Sequence, residues 1–334
     1  MDELIFFINR VLISGTVLGS IYALGAIGVT LIFGILRFAH FAHGDMMTMG
    51  AFITFVLAGL VSMLGISVGI PTAILVMPLA MVVTALIALG IDKGFYAPLR
   101  KQGVKPVTLL VASIGVTLII QGLIRLIFGA GTRSLYGNEP KVIFRIDTAW
   151  MGGSRPITIT EPQVFMIAFT IILVLALHFF LTRSRLGKAM RAMADNADLA
   201  QISGINTAVV VRITWLIAGA LACVAGTMLA LDVALMPDLA FNIVLPIFAA
   251  AIVGGLGQVY GAIAGGFLIA FAETMSVFNW STMLRPFKDI MPSWLAIPDN
   301  LALVPTEYKL TVAFVILVIT LLARPTGIFK GAST

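Results

Sequence analysis

Long apolar runs separated by short polar connections dominate the chain from residue 11 onwards. A hydrocarbon core about 30 Å thick needs roughly 20 residues of α-helix, and most of these runs are of about that length. We interpret the following ranges as membrane segments: 11–36, 46–64, 70–91, 106–129, 162–182, 208–231, 241–254, 258–278 and 308–323. The segment 241–254 is short enough to be a re-entrant or broken helix, so the pattern predicts eight or nine crossings.

Composition narrows the fold class further. Of the 334 residues, 60% are hydrophobic and 11% are charged, whereas about 25% are charged in soluble domains. The net charge of +6 is too small for a nucleic-acid binder of this size, and the single cysteine, Cys223, excludes a disulfide framework. We therefore expect one transmembrane domain over 1–334: an all-α, polytopic helix bundle with broken or re-entrant segments and a cytoplasmic helix.

Lys and Arg predict the orientation, because they resist translocation across the membrane. They are densest at about 183–206, which we place in the cytoplasm. We place a second group of basic residues on the same side: Lys93, Arg100, Lys101, Lys105, Arg324 and Lys330. The connections 130–161, 232–240 and 279–307 then lie outside with the N-terminus. Their acidic residues are Glu139, Asp147, Glu161, Asp232, Asp238, Asp289, Asp299 and Glu307.

The outer loop at about 130–161 is rich in glycine, and 141–146 and 157–160 are predicted to pair as a small hairpin. Enzymatic motifs are missing elsewhere. The sequence has no GxxxxGK[ST] phosphate loop, no GxSxG elbow and no HExxH helix. We expect no catalytic residue and no cofactor in this chain, so that any ATP would be bound by another chain.

His40, His43 and Asp45 lie together at a polar junction between two apolar runs. Imidazoles with a carboxylate are plausible metal ligands, although this spacing is weak evidence for a metal. The junction also suits a helix break at Gly44, with Asp45 capping the next helix. A third possibility is that these residues line or gate a path through the membrane.

Glycine marks a second interruption of the apolar pattern, at 252–257. Gly257, Gly261 and Gly265 are four residues apart, as are Gly15 and Gly19, which predicts helix faces that other backbones approach closely. Irregular backbone inside a membrane also indicates a transport path. Close packing and a path both remain open. The candidate path residues are His43, Gly44, Asp45, Gly254, Gly255 and Gly257.

Two charged residues fall within predicted spans. Arg125 and Glu273 each lie late in their segment, so they can reach the interface by snorkelling or contact a substrate. We favour the interface. Because the middles of the spans hold almost no carboxylates, the sequence gives little support for an ion-coupled carrier.

The cytoplasmic stretch contains an amphipathic pattern. Its apolar or small residues recur every three or four positions: Leu186, Met190, Met193, Ala197 and Ala200. This face suits insertion into a groove on a partner. A helix lying on anionic lipid is the alternative.

Several runs resemble the permease subunits of ABC importers for branched-chain amino acids. GKAMRAMA at 187–194 and AQISGIN at 200–206 resemble the family's cytoplasmic coupling loop. The runs that agree elsewhere are LGSIYAL at 18–24, RFAHFAHGD at 37–45, VGGLGQVYGAIAGG at 253–266 with Glu273, TEYK at 306–309 and RPTGIF at 324–329. The resemblance covers nearly the whole chain. His40 departs from it, since the family commonly has Asn there.

The resemblance implies half of a heterodimeric pore in the bacterial inner membrane. The implied partners are a second permease, two cytoplasmic ATPases that carry ATP and Mg, a periplasmic amino-acid-binding protein and membrane lipid. Residues expected to couple the permease to the ATPases are Gly187, Arg191, Ala192, Ala200 and Gly204. The same architecture carrying urea, short amides or other amino acids remains an alternative. A stand-alone carrier or channel and a membrane enzyme are the competing classes.

Overall fold

The structure is a computed structural model of the chain that describes residues 2–65, 70–137, 139–287, 298 and 300–329. Helices account for nearly all the regular structure in these residues, as the sequence predicts. The α-helices are Asp2–Phe7 (α1), Ser14–Leu36 (α2), His43–Met63 (α3), Thr72–Ile91 (α4), Ala97–Lys101 (α5), Pro106–Phe128 (α6), Glu161–Arg183 (α7), Arg185–Asp195 (α8), Ala197–Ile202 (α9), Thr207–Asp232 (α10), Phe241–Gly254 (α11), Val259–Val277 (α12), Ser281–Leu284 (α13) and Lys309–Ala323 (α14). Short π-helical segments, Ile8–Ile13 and Asp92–Tyr96, continue α1 into α2 and α4 into α5.

Within the described residues, eight helical stretches are long and apolar enough to cross a membrane. They are Asp2–Leu36, His43–Met63, Thr72–Lys101, Pro106–Phe128, Glu161–Arg183, Thr207–Asp232, Val259–Val277 and Thr306–Ala323. A ninth apolar helix, α11, has 14 residues, and its length of about 21 Å is too short to cross alone. The prediction of eight or nine segments, one of them short, is confirmed. Lys330, Asp289 and Asp299, which entered the predicted orientation, lie outside the described residues.

α2 and α10 form the centre of the helix bundle. α2 packs against α10, α11 and α12, and α10 also packs against α3 and α4. Gly15 and Gly19 lie under the rings of Phe271 and Phe267 on α12, so the predicted close approach along α2 is confirmed. α6, α7 and α14 lie at the edge of the bundle and expose large apolar side chains.

Glycine also allows α11 and α12 to touch through their backbones. Gly261 faces the carbonyl of Gly254, and Gly265 faces the carbonyl of Ala250; an added β-carbon would clash at either position. The predicted packing face is correct for these two glycines. Gly257 does not belong to that face, because α12 begins only at Val259 and Gly257 lies in the preceding turn with φ of 85°.

The first interruption separates α2 from α3. α2 ends at Leu36, and Arg37 adopts a left-handed conformation with φ of 55°. The sequence suggested a break at Gly44 with Asp45 as the cap of the next helix. The structure corrects this, because α3 begins at His43 after Ala42, and no side chain caps it. His43 and Asp45 therefore lie inside the first turn of α3, whereas His40 precedes the helix.

The predicted hairpin is present in the loop between α6 and α7. Its strands are Ile143–Ile146 (β1) and Ile157–Thr160 (β2), paired antiparallel with Ile143 opposite Thr160. A backbone bridge between Arg133 and Leu235 joins this loop to the connection between α10 and α11. The hairpin is thus held at the end of the bundle opposite α8 and α9.

Candidate functional site

His43 and Gly44 start α3 against the centre of the bundle. His43 is fully buried and lies against Gly28 of α2. Neither of its ring nitrogens has a hydrogen-bond partner among the described residues. On Gly44, an added β-carbon would lie 3.0 Å from the side chain of Val244 on α11. The predicted path residues 43 and 44 therefore lie where α2, α3 and α11 meet.

His40 is held in an aromatic cage. Its Nδ1 lies 3.1 Å from the Tyr96 hydroxyl and its Nε2 lies 3.2 Å from the Met46 sulfur. The Trp215 ring is 4.9 Å away, and the His43 ring is 6.3 Å away. No group of three His, Cys, Asp or Glu side chains in the described residues could hold a metal ion. The contacts of His40 are those of a packed core residue.

Asp45 turns away from the histidines towards α6. It is 1% exposed, and its Oδ1 accepts a hydrogen bond from Gln121 Nε2 at 2.9 Å. Gln121 Oε1 in turn accepts from Arg125 Nη1 at 3.4 Å. Arg125 itself is exposed. A buried carboxylate thus connects to an exposed guanidinium through one amide.

The second interruption lies at the α8 end of the bundle. Gly255 and Gly257 have φ of 112° and 85°, and a β-carbon on Gly34 of α2 would lie 3.3 Å from the Gly257 Cα. Gly28, which contacts His43, is six residues from Gly34, or about 9 Å along the helix. The predicted path residues therefore form two groups: His43 to Asp45 inside the bundle, and Gly254 to Gly257 near its end.

The predicted cytoplasmic helix consists of two short helices, α8 and α9. Ser184 Oγ caps α8 by accepting from the Gly187 amide at 2.8 Å. Asn196 Oδ1 caps α9 by accepting from the Leu199 amide at 2.9 Å. Asn196 therefore ends one helix and begins the next, which places the two at an angle.

Three of the five residues of the predicted apolar face pack inward. Met190, Met193 and Ala200 are 2%, 6% and 4% exposed, because the chain's own helices cover them. This corrects the expectation for these three residues, whereas Leu186 at 37% and Ala197 remain exposed as predicted. Leu199 at 57% and Ile202 at 81% are also exposed, and the sequence pattern did not select them.

The five residues predicted to couple the loop to a partner lie in two environments. Arg191, Ala192 and Gly204 are exposed, whereas Gly187 and Ala200 are buried. Gly187 leaves no room for a β-carbon against the backbone of α7, and Gly204 ends α9 with φ of 85°. The buried pair shapes the loop, and the exposed three belong to its surface.

α8 contacts both interruptions of the bundle. The guanidinium of Arg37, where α2 ends, donates to the backbone carbonyl of Ala194 on α8. Gly34 and Gly257 line a cavity of about 40 Å³ together with Arg191 and Ala194. A displacement of α8 would therefore act directly on the end of α2 and on the turn before α12.

Glu273 does not reach an interface as we had expected. It is fully buried, and its Oε2 accepts from the Tyr22 hydroxyl at 3.0 Å and pairs with Lys309 Nζ at 3.6 Å. These three residues join α2, α12 and α14 at the end of the bundle opposite α8. The interface assignment is wrong because α14 covers a position that α12 alone would expose.

The loop between α6 and α7 closes the same end. Glu139 accepts from the Thr72 amide at 3.0 Å and caps α4. Beside it, burial and the charges of Glu161, Glu139 and Asp232 raise the pKa of Tyr136. The Tyr136 hydroxyl therefore stays protonated at neutral pH.

Sequence reasoning missed the residues that connect these features. Arg37 and Tyr22 lie in runs singled out for other reasons, and no local pattern indicates their partners. Gln121 carried a usable signal, because Ser113, Thr117, Gln121 and Arg125 are spaced four apart in an otherwise apolar helix. Such spacing places polar side chains along one helix face.

Comparison with known proteins gives matches over nearly the whole chain. Residues 11–321 match the family described as the permease component of the branched-chain amino acid transport system. The chain is 30% identical to the high-affinity branched-chain amino acid transport system permease protein LivH of Escherichia coli (strain K12), over 98% of this chain and 96% of LivH. It is 30% identical to the corresponding protein BraD of Pseudomonas aeruginosa, over 98% and 97%. Among solved structures, PsaBC from Streptococcus pneumoniae in complex with Fab matches at 15% identity with a TM-score of 0.44, covering 97% of this chain and 94% of that chain.

Proposed function

The chain belongs to the branched-chain amino acid transport permease family, and we propose that it forms half of the translocation path of an ABC importer for leucine, isoleucine and valine. It is a multi-pass membrane transport subunit with eight apolar helices among its described residues. In this proposal ATP and Mg bind to two separate cytoplasmic ATPase subunits, and this chain contributes no catalytic residue.

The contact of α8 with both helix interruptions carries the proposal. Arg37 connects α8 to the end of α2, and Gly257 lies beside it before α12. An ATPase that moves α8 would thus displace the backbone at both places where the membrane helices are broken. Broken helices are where transporters commonly open and close their path.

The surface of α8 and α9 offers an ATPase two kinds of contact. Arg191 and Ala192 are exposed on α8, and Leu199 and Ile202 are exposed and apolar on α9. Gly187 and Ala200 fix the fold of the loop beneath this surface, and Gly204 ends it. We therefore retain all five predicted coupling residues, with the first and fourth in a supporting role.

The path itself is assigned to the interior group. His43, Gly44 and Asp45 start α3 inside the bundle, where a substrate would pass, while Gly254, Gly255 and Gly257 form the hinge at the α8 end. A zwitterion with an aliphatic side chain needs a few polar groups beside an apolar lining, which helix breaks provide.

The remaining partners and the orientation follow from the importer assignment. A second, related permease would complete the path, and a periplasmic amino-acid-binding protein would deliver the substrate to the end opposite α8. The positive residues of the 183–206 loop support an orientation in which α8 and α9 lie on the cytoplasmic side of a bacterial inner membrane and the N-terminus lies outside.

Co-purification with and without a charge reversal on α8 tests the proposal. The tagged chain is isolated from its native membrane beside two variants, Arg191→Glu on α8 and Arg145→Glu on β1, and bound proteins are identified by mass spectrometry. Both arginines are exposed. We expect two ATPases and a second permease with the wild type and with Arg145→Glu, and loss of the ATPases with Arg191→Glu.

Uptake measurements complete this test. Labelled leucine, isoleucine and valine should enter cells carrying the chain and not cells lacking it. Uptake of urea or short amides without uptake of these amino acids would change the assigned substrate from branched-chain amino acids to amides. A chain that purifies without partners and transports after reconstitution alone would instead be a self-sufficient carrier.

A further inference from the structure

One face of α6 carries a polar stripe through the membrane. Ser113, Thr117, Gln121 and Arg125 follow one another every four residues, so they lie along a single slanted row. The exposed positions between Val111 and Leu123 carry no polar side chain. Polar side chains in membrane segments are costly and mark substrate paths. Packing of α6 in the bundle does not by itself require polar side chains, so we expect a functional role for this row.

The stripe lies against the interruption before α3. Ser113 Oγ accepts from the Phe41 amide at 3.1 Å. Further along, Gln121 reaches Asp45 in the first turn of α3. Between them, Thr117 is 5% exposed, and its hydroxyl faces the Asp45 carboxylate. The row thus faces the segment from Phe41 to Asp45, where irregular backbone leads into α3.

Gln121 connects two opposite charges with a defined polarity. Its Nε2 donates to Asp45, and its Oε1 accepts from Arg125. An amino acid has the same arrangement at its two backbone ends, because its ammonium group donates and its carboxylate accepts. The side-chain amide of Gln121 therefore lies between Asp45 and Arg125 with the same order of donor and acceptor as a zwitterion.

An apolar cleft of about 500 Å³ lies beside these residues. It is lined by side chains of α3, α4 and α6 without a polar contribution of note; among them are Met49, Phe52, Ile120 and Ile124. Met49 is one helical turn from Asp45, and Ile120 and Ile124 directly precede Gln121 and Arg125. The cleft falls in the size range of small-ligand pockets and has the chemistry that receives a branched aliphatic side chain.

We propose that Asp45 and Arg125 bind the ammonium and carboxylate groups of an aliphatic amino acid during its passage, and that Gln121 takes their hydrogen bonds when no substrate is present. The apolar cleft between α3 and α6 receives the side chain. This inference rests on the proposed function and adds to it a specific pair of substrate ligands.

Three variants of α3 and α6 distinguish this role from a structural one. Uptake of labelled leucine is measured with Asp45→Asn, Arg125→Gln and Gln121→Ala in the full transporter. We expect the first two to lower uptake by about 10-fold or more, since each loses a hydrogen bond to a charged group. Gln121→Ala should lower the half-saturating concentration of leucine, because it removes the group that substrate must displace.

Membrane abundance and co-purified ATPases are recorded for each variant. A structural network would make Gln121→Ala as harmful as the other two, with parallel losses of abundance, and this result would overturn the proposal. So would wild-type uptake in Asp45→Asn and Arg125→Gln. If the wild-type chain itself supports no uptake of aliphatic amino acids, the proposed function fails rather than this inference alone.

Thiol labelling tests the path without removing either charge. The native Cys223 is fully buried, so a hydrophilic methanethiosulfonate should report mainly on an introduced cysteine. Thr117→Cys should be labelled from water during ATP turnover and more slowly with leucine present. Leu118→Cys, at a position 65% exposed on the other side of α6, should remain unlabelled. Labelling of Leu118→Cys but not of Thr117→Cys would place the path elsewhere.

Discussion

The guanidinium of Arg37 donates a hydrogen bond to the backbone carbonyl of Ala194. Arg37 is also the non-glycine residue with positive φ in the described part of the chain. That conformation costs a non-glycine residue about 1–2 kcal/mol. Keeping an arginine there is explained if its side chain is needed to hold the end of α2 on α8.

Arg37→Gly should uncouple the transporter without unfolding it. Glycine adopts the left-handed conformation without strain, so we expect membrane abundance and unfolding temperature at or above wild type. Loss of the bond to Ala194 should lower leucine uptake by about 10-fold. Arg37→Ala keeps the strained backbone and also loses the hydrogen bond to Ala194, so it should lower both the unfolding temperature and leucine uptake. Wild-type uptake with Arg37→Gly would show that this hydrogen bond does not transmit the movement.

An exposed residue of α9 and a buried residue of α8 should affect ATPase binding and protein stability differently. Ile202 is 81% exposed and Met193 is 6% exposed. Ile202→Glu should abolish co-purification of the ATPases while the unfolding temperature stays unchanged. Met193→Glu should lower that temperature, because it buries a charge in the contact between α8 and the bundle. Retention of the ATPases by Ile202→Glu would exclude this surface from the interface.

Two glycines in membrane helices predict opposite responses to the same substitution. A β-carbon on Gly226 of α10 would overlap the Met47 carbonyl on α3, whereas one on Gly122 of α6 would meet open space. Gly226→Ala should lower the free energy of unfolding by about 1–3 kcal/mol through overpacking. Gly122→Ala should be neutral or slightly stabilising, because alanine favours helix. Thermal unfolding in detergent measures both, and equal effects would contradict the close packing of α3 on α10.

The sequence predicted helices and strands correctly where a local property of the chain decides them, such as segment length, turn residues or glycine spacing. The membrane segments follow from the thickness of the apolar core, and the short helix Phe241–Gly254 has the predicted bounds. The hairpin follows from turn residues between two short alternating runs. The glycine faces on α2 and α12 follow from spacing, since only glycine permits backbones to approach so closely.

Predictions of environment failed where a distant helix decides them. Periodicity found the apolar face containing Met193, but could not say that the chain's own helices cover it. Glu273 was predicted to reach the interface, but Lys309 of α14 and Tyr22 of α2 bind it inside the bundle. Asp45 was predicted to cap a helix, but it binds Gln121 of α6. The sequence around a residue does not indicate which distant segment of the chain packs against it. The partners of Arg37, Glu273 and Asp45 are 157, 251 and 76 residues away, respectively.

The ion pair between Glu273 and Lys309 should stabilise the bundle mainly because the Glu273 carboxylate is buried and needs a compensating charge. Glu273 has no exposed surface, while the Lys309 side chain is 33% exposed. Lys309→Met should therefore lower the free energy of unfolding by about 1–3 kcal/mol, since the carboxylate keeps only the hydrogen bond from Tyr22. In a Glu273→Gln background the same lysine substitution should cost much less, because no buried charge remains to be compensated. A double-mutant cycle by thermal unfolding in detergent gives the difference directly, with Lys93→Met as an exposed lysine control. Equal costs in both backgrounds would mean that Lys309 acts through its position at the start of α14, and not through its charge.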